Sequence, residues 1–297
     1  MLTAARLSLA PLVSALTALT ARTARTALVA LITLITLITA PSLASAQAVV
    51  NTVKLGPCDD LTGVCLANPT QRYKHGVFGQ PFEYGTMMTI DQKGSALQPY
   101  NLPYEQVFED RRVRLTDLDD DGTKEVITIV TSLTQGASVA LFAFDPGNET
   151  ESASVYPMAQ SDFIGLANRW LNPLDGAVDL DGDGSREIAV IETPHIRPTL
   201  RIHQWNGSRL DEIARVPLQG HSNHEMGSLT LAGAVFCDAA RAGQALVQIP
   251  DRAGSSTVFL FDLATASLKP TALVPSARVN PDFFDQNLAC ADLRQQS

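Results

Sequence analysis

The sequence has none of the short motifs that mark several large enzyme classes. It contains no Gly-x-Ser-x-Gly elbow, no His-Glu-x-x-His motif and no glycine loop of the kind that cradles a phosphate. These absences remove the motif-based case for a serine hydrolase, a zinc protease or a nucleotide-binding enzyme. Histidine is also scarce, with five in the whole chain; His221 and His224 lie close together beside Glu225, but this is a weak combination for a metal site.

The first 46 residues lack acidic side chains altogether. They contain three arginines, an apolar run of 14 residues at 27–40, and alanines at 44 and 46 that suit cleavage before Gln47. The run is too short to cross the roughly 30 Å of bilayer hydrocarbon comfortably. This pattern predicts a cleaved signal peptide over residues 1–46. The long region before the apolar run leaves an uncleaved N-terminal anchor as the alternative.

The mature chain, residues 47–297, is poor in basic side chains. Removing the three arginines leaves 19 of the 22 basic residues against 31 acidic ones, a net charge of −12. Nucleic acid is therefore not an expected partner, since binding it requires a basic surface. The acidity suits a protein that loads divalent cations. We expect a periplasmic or extracellular protein with no stable membrane anchor after cleavage of the signal peptide.

Four cysteines occur in the mature chain: Cys58, Cys65, Cys237 and Cys290. An even count in an exported protein predicts two disulfides. Cys58 and Cys65 bracket a short acidic turn and are expected to pair locally, which leaves Cys237 to pair with Cys290. Zinc bound by all four is the alternative, but the six-residue gap between the first two does not match the usual ligand spacing.

An internal repeat runs through the mature chain. Residues 115–130 read LTDLDDDGTKEVITIV, and residues 177–191 read AVDLDGDGSREIAVI, so that Asp117 aligns with Asp179. A degenerate copy, AVFCDAARAGQALVQI, occupies 234–249, and a trace, LACADL, occupies 288–293. A period of this size indicates stacked supersecondary units such as propeller blades or solenoid turns.

The segments between the repeated motifs resemble strands. Residues 139–144, 199–205 and 257–261 are short, rich in β-branched or aromatic side chains, and bounded by turn residues. The mature chain has no long stretch of helical periodicity. We therefore predict an all-β fold, a small β-propeller of four to five blades built from repeats of about 60 residues. One domain, 47–297, would contain repeats around 70–160, 161–220 and 221–275, and a partial closing repeat at 276–297.

The repeated acidic loops have the pattern of a metal site. Alternate carboxylates in a tight loop can point at one centre, and calcium accepts six to eight oxygens. The glycines Gly122 and Gly184 permit the sharp turn. An EF-hand is excluded because strand-like residues follow each loop and position twelve is not Glu. The expected ligands are Asp117, Asp119, Asp121, Thr123 and Glu125 in one loop, and Asp179, Asp181, Asp183, Ser185 and Glu187 in the other.

These two loops resemble the calcium loops of FG-GAP and VCBS-type repeats, which build β-propellers in integrin α-subunits and in exported bacterial proteins. The resemblance covers roughly residues 70–293 and implies calcium at two sites. It implies none in the third unit, where Ala240 and Ala242 replace the second and third acids. The calcium is expected to be structural, holding strands together inside each blade. A metal-free acidic turn is the alternative.

Polar and aromatic turns precede each repeated loop and are candidates for a ligand site at one mouth of the ring. Their members are Arg72, Tyr73, His75, Arg169, Trp170, Asn223 and His224. Packing between blades is the alternative role for these residues. His195 is expected in a turn, and His203, which alternates with Ile202 in a strand, is expected to face solvent.

The sequence favours a binding or scaffold module for a protein or glycan partner. The alternative is a propeller-fold hydrolase or lyase that acts on a polyanionic or glycan substrate. Such an enzyme requires convergent acids or histidines outside the calcium loops, and the recurrent turns are the only candidates for them. Fold alone does not separate the two functions.

The N-terminal pattern makes a direct prediction about processing. We expect the exported protein, isolated outside the cytoplasm, to begin near Gln47, because the small residues before it suit cleavage. Edman sequencing or intact-mass measurement of the native protein checks this. A cytoplasmic product that retains Met1 would contradict both the export and the disulfide arguments.

Overall fold

The computed structural model describes residues 53–91, 95–148, 151–166, 170–180, 183–228, 232–238, 244–251 and 255–272. The predicted signal peptide lies outside these residues, as do Arg169, Asp181 and Cys290. The regular structure of the described residues consists of 17 strands and no helix, which confirms the all-β prediction. A helix long and apolar enough to cross a membrane is accordingly not found among them.

The strands follow the short apolar and β-branched runs of the sequence. The runs predicted at 139–144, 199–205 and 257–261 all lie within strands. The strands are β1 (Leu55–Cys58), β2 (Val64–Thr70), β3 (Glu83–Ile90), β4 (Ala96–Asn101), β5 (Gln106–Phe108), β6 (Arg114–Thr116), β7 (Lys124–Ser132), β8 (Gly136–Asp145), β9 (Ser154–Gln160), β10 (Leu171–Val178), β11 (Glu187–Glu192), β12 (Thr199–Trp205), β13 (Leu210–Pro217), β14 (Ala234–Asp238), β15 (Gln244–Pro250), β16 (Ser256–Asp262) and β17 (Ser267–Pro270).

The strands form two sheets. The first has nine strands in the order β1-β2-β3-β5-β7-β8-β9, with β4 paired to β3 and β6 paired to β7. The second has eight, in the order β13-β12-β11-β10-β14-β15-β16-β17. Neighbouring strands are antiparallel except for β10 and β14, which meet in parallel at Asp175 and Ala234. The second sheet therefore consists of two four-stranded meanders joined through their first strands.

The two acidic loops occupy equivalent places in the strand order. The first joins β6 to β7, and the second joins β10 to β11. Thr116 pairs with Glu125 at the base of the first loop, and Val178 pairs with Glu187 at the base of the second. The degenerate segment joins β14 to β15, where Asp238 pairs with Gln244. In each case two further antiparallel strands follow.

The alternation of side chains along the central strands divides the core into separate hydrophobic clusters. In β7, Ile127 and Ile129 pack with Ile188 and Val190 of β11, whereas the intervening positions pack with β2, β3 and β8. In β11, the residues that alternate with Ile188 and Val190 join a third cluster with β15 and β16. Both faces of these strands are therefore buried, and each such side chain contributes about 1.5–3 kcal/mol relative to exposure.

Burial on both faces also corrects the expectation for His203. The alternation in β12 predicted that this residue faces solvent, but it is buried with 1% exposure. Period-two alternation separates the two faces of a strand, and it indicates solvent only where one face is open. Burial lowers the pKa of His203 to about 4, so the ring is neutral at pH 7.

The first disulfide is confirmed. Cys58 and Cys65 pair across the β1–β2 hairpin, where they are direct strand partners with Cα atoms 4.0 Å apart. Cys237 at the end of β14 is also disulfide-bonded. Its predicted partner, Cys290, lies outside the described residues. Because Cys58, Cys65 and Cys237 are in disulfides, they are not available as thiolate ligands, and the four-cysteine zinc site is excluded.

The turn that opens β8 provides a test of the packing between loops. Gly136 has a φ of +84°, and a Cβ at this position would collide with the carbonyl oxygen of Gly165. Gly220 has a similar φ of +78° but open space around an added Cβ. We expect Gly220→Ala to lower the free energy of unfolding by about 1–2 kcal/mol, from backbone strain alone. Gly136→Ala should lower it further, as measured by urea denaturation. Equal losses would contradict the close approach.

Candidate functional site

The first acidic loop is organised by hydrogen bonds between its own carboxylates and backbone. Glu125 accepts from the N–H of Leu118 at 2.8 Å, and Asp117 accepts from the N–H of Gly122 at 3.0 Å. Thr123 donates to Asp121 through its N–H at 2.7 Å and its hydroxyl at 2.6 Å. These bonds curl the loop so that Asp117 and Glu125 are buried and Asp121 is exposed.

The second loop repeats the three hydrogen bonds of this pattern that backbone N–H groups donate. Glu187 accepts from the N–H of Leu180 at 2.6 Å, and Asp179 accepts from the N–H of Gly184 at 3.1 Å. The N–H of Ser185 donates to Asp183 at 2.8 Å. The turn glycines, Gly122 and Gly184, have φ values of +90° and +94°, as the sequence predicted. Asp181, the remaining predicted ligand, lies outside the described residues.

The first loop has the donor set of a hard-cation site. Oxygens of Asp117, Asp119 and Glu125 lie within 4.8 Å of one another. Asp117 Oδ1 is buried and has no hydrogen-bond partner among the described residues, so this oxygen is available to a ligand. The pKa of Glu125 is raised to about 7 by burial and by the neighbouring aspartates, against the bond from Leu118. Carboxylate oxygens crowded in this way fit a divalent cation such as calcium.

Arg186 connects the two loops, a role that the sequence analysis missed. It occupies one of the variable positions of the motif and is 5% exposed. Its backbone N–H donates to the carbonyl of Leu118 at 2.8 Å, and its guanidinium donates to the carbonyl of Asp117 and, at 2.6 Å, to Asp120. The pairing of residues within one repeat does not reveal these contacts, because they join positions 66–69 residues apart in different repeats.

Four residues of the predicted polar-aromatic turns come together around one indole ring. The Trp170 centroid lies 6.5 Å from that of His75 and 4.9 Å from that of His224. Tyr73 lies against His75 at 5.6 Å. Phe78 fills the space between, at 5.0 Å from Trp170 and 5.5 Å from His224. Segments far apart in the chain thus supply one cluster.

The other members of the predicted set lie apart from this cluster or outside the described residues. The Arg72 guanidinium donates to the carbonyl of Gln106 and stacks over Tyr104 at 5.7 Å. Asn223 is buried and donates to the carbonyl of Asn172 at 3.2 Å. These contacts match the alternative of packing between strands. Arg169 is not among the described residues.

His195 belongs to the cluster, although the sequence analysis placed it only in a turn. Its ring lies 5.6 Å from Trp170 and 4.9 Å from His224, and its Nε2 is 2.7 Å from His224 Nδ1. Knowledge that β10 pairs with β11 would have placed His195 beside Trp170. That hairpin places Leu171 opposite Glu192, and the N–H of Thr193 donates to the carbonyl of Trp170 at 2.8 Å.

The hydrogen-bond chain assigns the tautomers of two histidines. His224 Nε2 lies 2.8 Å from the carbonyl of Ser228, which can only accept, so this nitrogen carries the proton. His224 Nδ1 then accepts from His195 Nε2–H, and His195 Nδ1 retains its lone pair. Burial, with smaller contributions from His224 and His75, lowers the pKa of His195 to about 4. The pKa of His224 is also lowered by burial.

A buried carboxylate orients His75. Glu109 is 0% exposed; its Oε1 lies 2.5 Å from His75 Nδ1, and its Oε2 accepts from Thr131 at 2.7 Å. Burial raises the pKa of Glu109, against the hydrogen bond and charge of His75. Nearby Glu83 is also fully buried, and burial together with the charge of Glu109 raises its pKa to about 9. The sequence analysis missed both glutamates, because neither lies in a repeated motif.

A cavity of about 320 Å³ opens beside the cluster. The N–H of Gly227 donates to the carbonyl of Val77 at 2.8 Å, which holds the turn carrying Met226 against the turn carrying His75. The lining residues are His75, Gly76, Val77, Trp170, Thr193, Pro194, His195, Ile196 and Met226. The cavity is small and mostly apolar, with two imidazoles as its convergent polar groups.

A larger cavity, about 490 Å³, is lined by Arg111, Arg112 and Arg114, and the last two are paired with carboxylates. Arg114 pairs with Asp110 at 2.9 Å and with Asp175 at 3.4 Å, and Arg112 also pairs with Asp175. At these two arginines, carboxylates therefore occupy the positions that an anionic ligand would take. This arrangement favours the smaller cavity as the functional site.

Comparison with known proteins does not identify a family. No protein-family model matches the chain, and no curated protein matches it. A similar solved structure is that of a Bacteroides fragilis protein assigned as a 6-phosphogluconolactonase, with 13% identity and a TM-score of 0.32. The match covers 68% of this chain, which spans 57% of that protein.

Proposed function

We propose that the chain is an exported, calcium-loaded β-propeller of four to five FG-GAP-like blades that binds a protein or glycan partner. The observation that carries the binding role is the convergence of His75, Trp170 and His195 on one cavity. Three turns from separate parts of the chain supply the cavity, so its formation depends on the assembled fold. Convergence of polar groups in a mostly apolar cavity is typical of ligand sites.

The strand order supports the propeller. Strands β10–β13 and β14–β17 are four-stranded antiparallel meanders, the arrangement of a propeller blade. Their first strands, β10 and β14, lie side by side and parallel, as the inner strands of successive blades do. Side chains on the two faces of β7 and β11 pack against different neighbours, as they do when sheets are stacked around an axis.

The matching hydrogen bonds of the two acidic loops support two calcium ions. Each loop directs two buried carboxylates, Asp117 with Glu125 and Asp179 with Glu187, toward its interior. A cation would relieve the repulsion between them and supply a partner for the buried oxygen of Asp117. In the first loop the exposed Asp119 completes the group of three carboxylates whose oxygens lie within 4.8 Å of one another. The third loop lacks the second and third acids and is proposed to bind no calcium.

The Glu109–His75 pair favours a second candidate, a hydrolase or lyase that acts on a glycan or polyanion. A carboxylate that accepts from Nδ1 leaves Nε2 as a base on a histidine that lines the cavity, which is the arrangement of a general acid–base pair. The two candidates differ in one observable. A binding module leaves its ligand intact, whereas an enzyme converts it.

Stability should depend on calcium through two sites. Saturating calcium is expected to raise the melting temperature, because a ligand at a hundredfold excess over its Kd stabilises the folded state by about 2.7 kcal/mol. Asp119→Ala and Asp181→Ala should each remove one site from a calorimetric titration of the chelated protein. Asp238→Ala is the matched control and should leave two sites. A melting curve that neither calcium nor chelator shifts would contradict the proposal.

Ligand binding should depend on the cavity. We expect the purified protein to bind members of glycan or peptide arrays, and His75→Gln or His195→Gln to reduce the affinity at least tenfold, since each removes a convergent polar group. His221→Gln, on an isolated bridge away from the cavity, is the matched control. Mass spectrometry of the recovered ligand separates binding from turnover. Equal binding by all variants would exclude this cavity as the site.

A further inference from the structure

A single peptide group, the one that joins Ser185 to Arg186, connects the two acidic loops. Ser185 occupies the seventh position of the second loop, where a backbone carbonyl can bind calcium. The N–H of the same peptide group, that of Arg186, donates to the carbonyl of Leu118 in the first loop at 2.8 Å. The C=O and N–H of a trans peptide point in opposite directions. The carbonyl of Ser185 therefore points away from Leu118.

The side chain of Arg186 makes two further contacts with the first loop. Its guanidinium donates to the carbonyl of Asp117 and, at 2.6 Å, to the carboxylate of Asp120. Neither acceptor is a proposed calcium ligand, because Asp117 is expected to bind through its carboxylate, whose Oδ1 has no hydrogen-bond partner among the described residues. The positive charge of Arg186 is paired with Asp120. Arg186 thus holds the loop without occupying the oxygens that are available to a cation.

The contact with Asp120 fixes a strained part of the first loop. Asp120 has a φ of +62° and lies between the proposed ligands Asp119 and Asp121. A left-handed conformation is costly for a residue with a Cβ, and it persists where the surrounding structure determines it. The ion pair with Arg186 is such a determinant. It therefore helps to set the direction in which the neighbouring carboxylates point.

Leu118 is held by contacts from both repeats. Its N–H donates to Glu125 of its own loop, and its carbonyl accepts from the N–H of Arg186. Its side chain packs in the same hydrophobic cluster as Ile188, which follows the second loop. A change in the position of the segment from Ser185 to Ile188 would therefore be felt at the proposed ligands Asp117 and Glu125.

The sequence of the other repeats shows that this contact is particular to the junction of the two acidic loops. The second loop has Gly182 at the position equivalent to Asp120. The third repeat has Ala245 at the position equivalent to Arg186. Both partners of the ion pair are thus missing at the next junction, where the third loop is proposed to bind no calcium.

We propose that the two calcium sites are coupled, with Arg186 as the positioning residue that links them. The inference rests on the proposed binding of calcium by both loops and concerns how the two sites act together. Calcium at the carbonyl of Ser185 would fix and polarise the peptide group, which strengthens the bond to Leu118 and holds the guanidinium on the first loop. Coupling between binding sites is reciprocal, so calcium in either loop raises the affinity of the other by the same factor.

The test is calorimetric titration of the chelated mature protein with calcium. Asp179→Asn removes a buried carboxylate of the second loop and should leave one site, in the first loop. We expect this site to bind calcium at least about fivefold more weakly than in the unaltered protein, the lower end of typical allosteric coupling. In the Arg186→Met background, Asp179→Asn should change the affinity of the first site by about twofold or less.

Two further variants make the test specific to the ion pair. Arg209→Met is the matched control, because it removes an arginine whose side chain is 63% exposed and which pairs with Asp211; the full effect of Asp179→Asn should remain. Asp120→Gly should reduce the coupling as Arg186→Met does. The Asp120 side chain is 58% exposed, and glycine accepts the left-handed conformation, so this variant decides even if Arg186→Met does not fold.

The outcomes separate the coupling from the calcium sites themselves. Two bound calcium ions, with the affinity of the first site unchanged by Asp179→Asn, would overturn the coupling and retain both sites. Coupling of full strength in the Arg186 and Asp120 variants would overturn the role of Arg186. If the unaltered protein binds no calcium, both the proposed sites and their coupling are overturned.

Discussion

The antiparallel pairing of β10 with β11 is the constraint on which both candidate sites depend. At one end of this hairpin, Val178 pairs with Glu187 and closes the second acidic loop. At the other end, Leu171 pairs with Glu192 and brings Trp170 beside the turn of His195. At about 3.3 Å per residue, the eight residues of β10 separate the two sites by roughly 25 Å. A cation bound in the loop, as proposed, would therefore stabilise the hairpin that carries the cavity residues without contacting a ligand in the cavity.

Contacts between neighbouring units extend this constraint across the fold. Arg186 leaves the second hairpin and donates to the backbone of the first acidic loop. Arg114 pairs with Asp175 of β10, and the parallel contact of Asp175 with Ala234 adds the next meander. These buried charges are costly to desolvate unless they are paired. Their geometry thus specifies one arrangement of the meanders, and with it the relative positions of the turns that form the cavity.

Local chemistry explains why the sequence predicts the strands and the loops well. Alternating apolar residues after Glu125 and Glu187 become β7 and β11, because both faces of these strands are buried. The aspartates and glycines of each loop act within a few residues of one another, so their hydrogen bonds follow from spacing alone. The pairing of Cys58 with Cys65 is equally local. His203 shows the limit of such reasoning, because alternation does not reveal what covers a strand face.

The sequence by itself determined the all-β class, the acidic loops, the local disulfide and the identity of several residues that later meet. Only the tertiary structure decided that Tyr73, His75, Trp170 and His224 cluster while Arg72 and Asn223 do not. It also added His195, Glu83 and Glu109, which no repeated motif contains. The physical reason is the range of the interactions. Bonds within a hairpin are encoded by neighbouring residues, whereas the Glu109–His75 and His195–His224 contacts join positions 34 and 29 residues apart and form only when the strands have assembled.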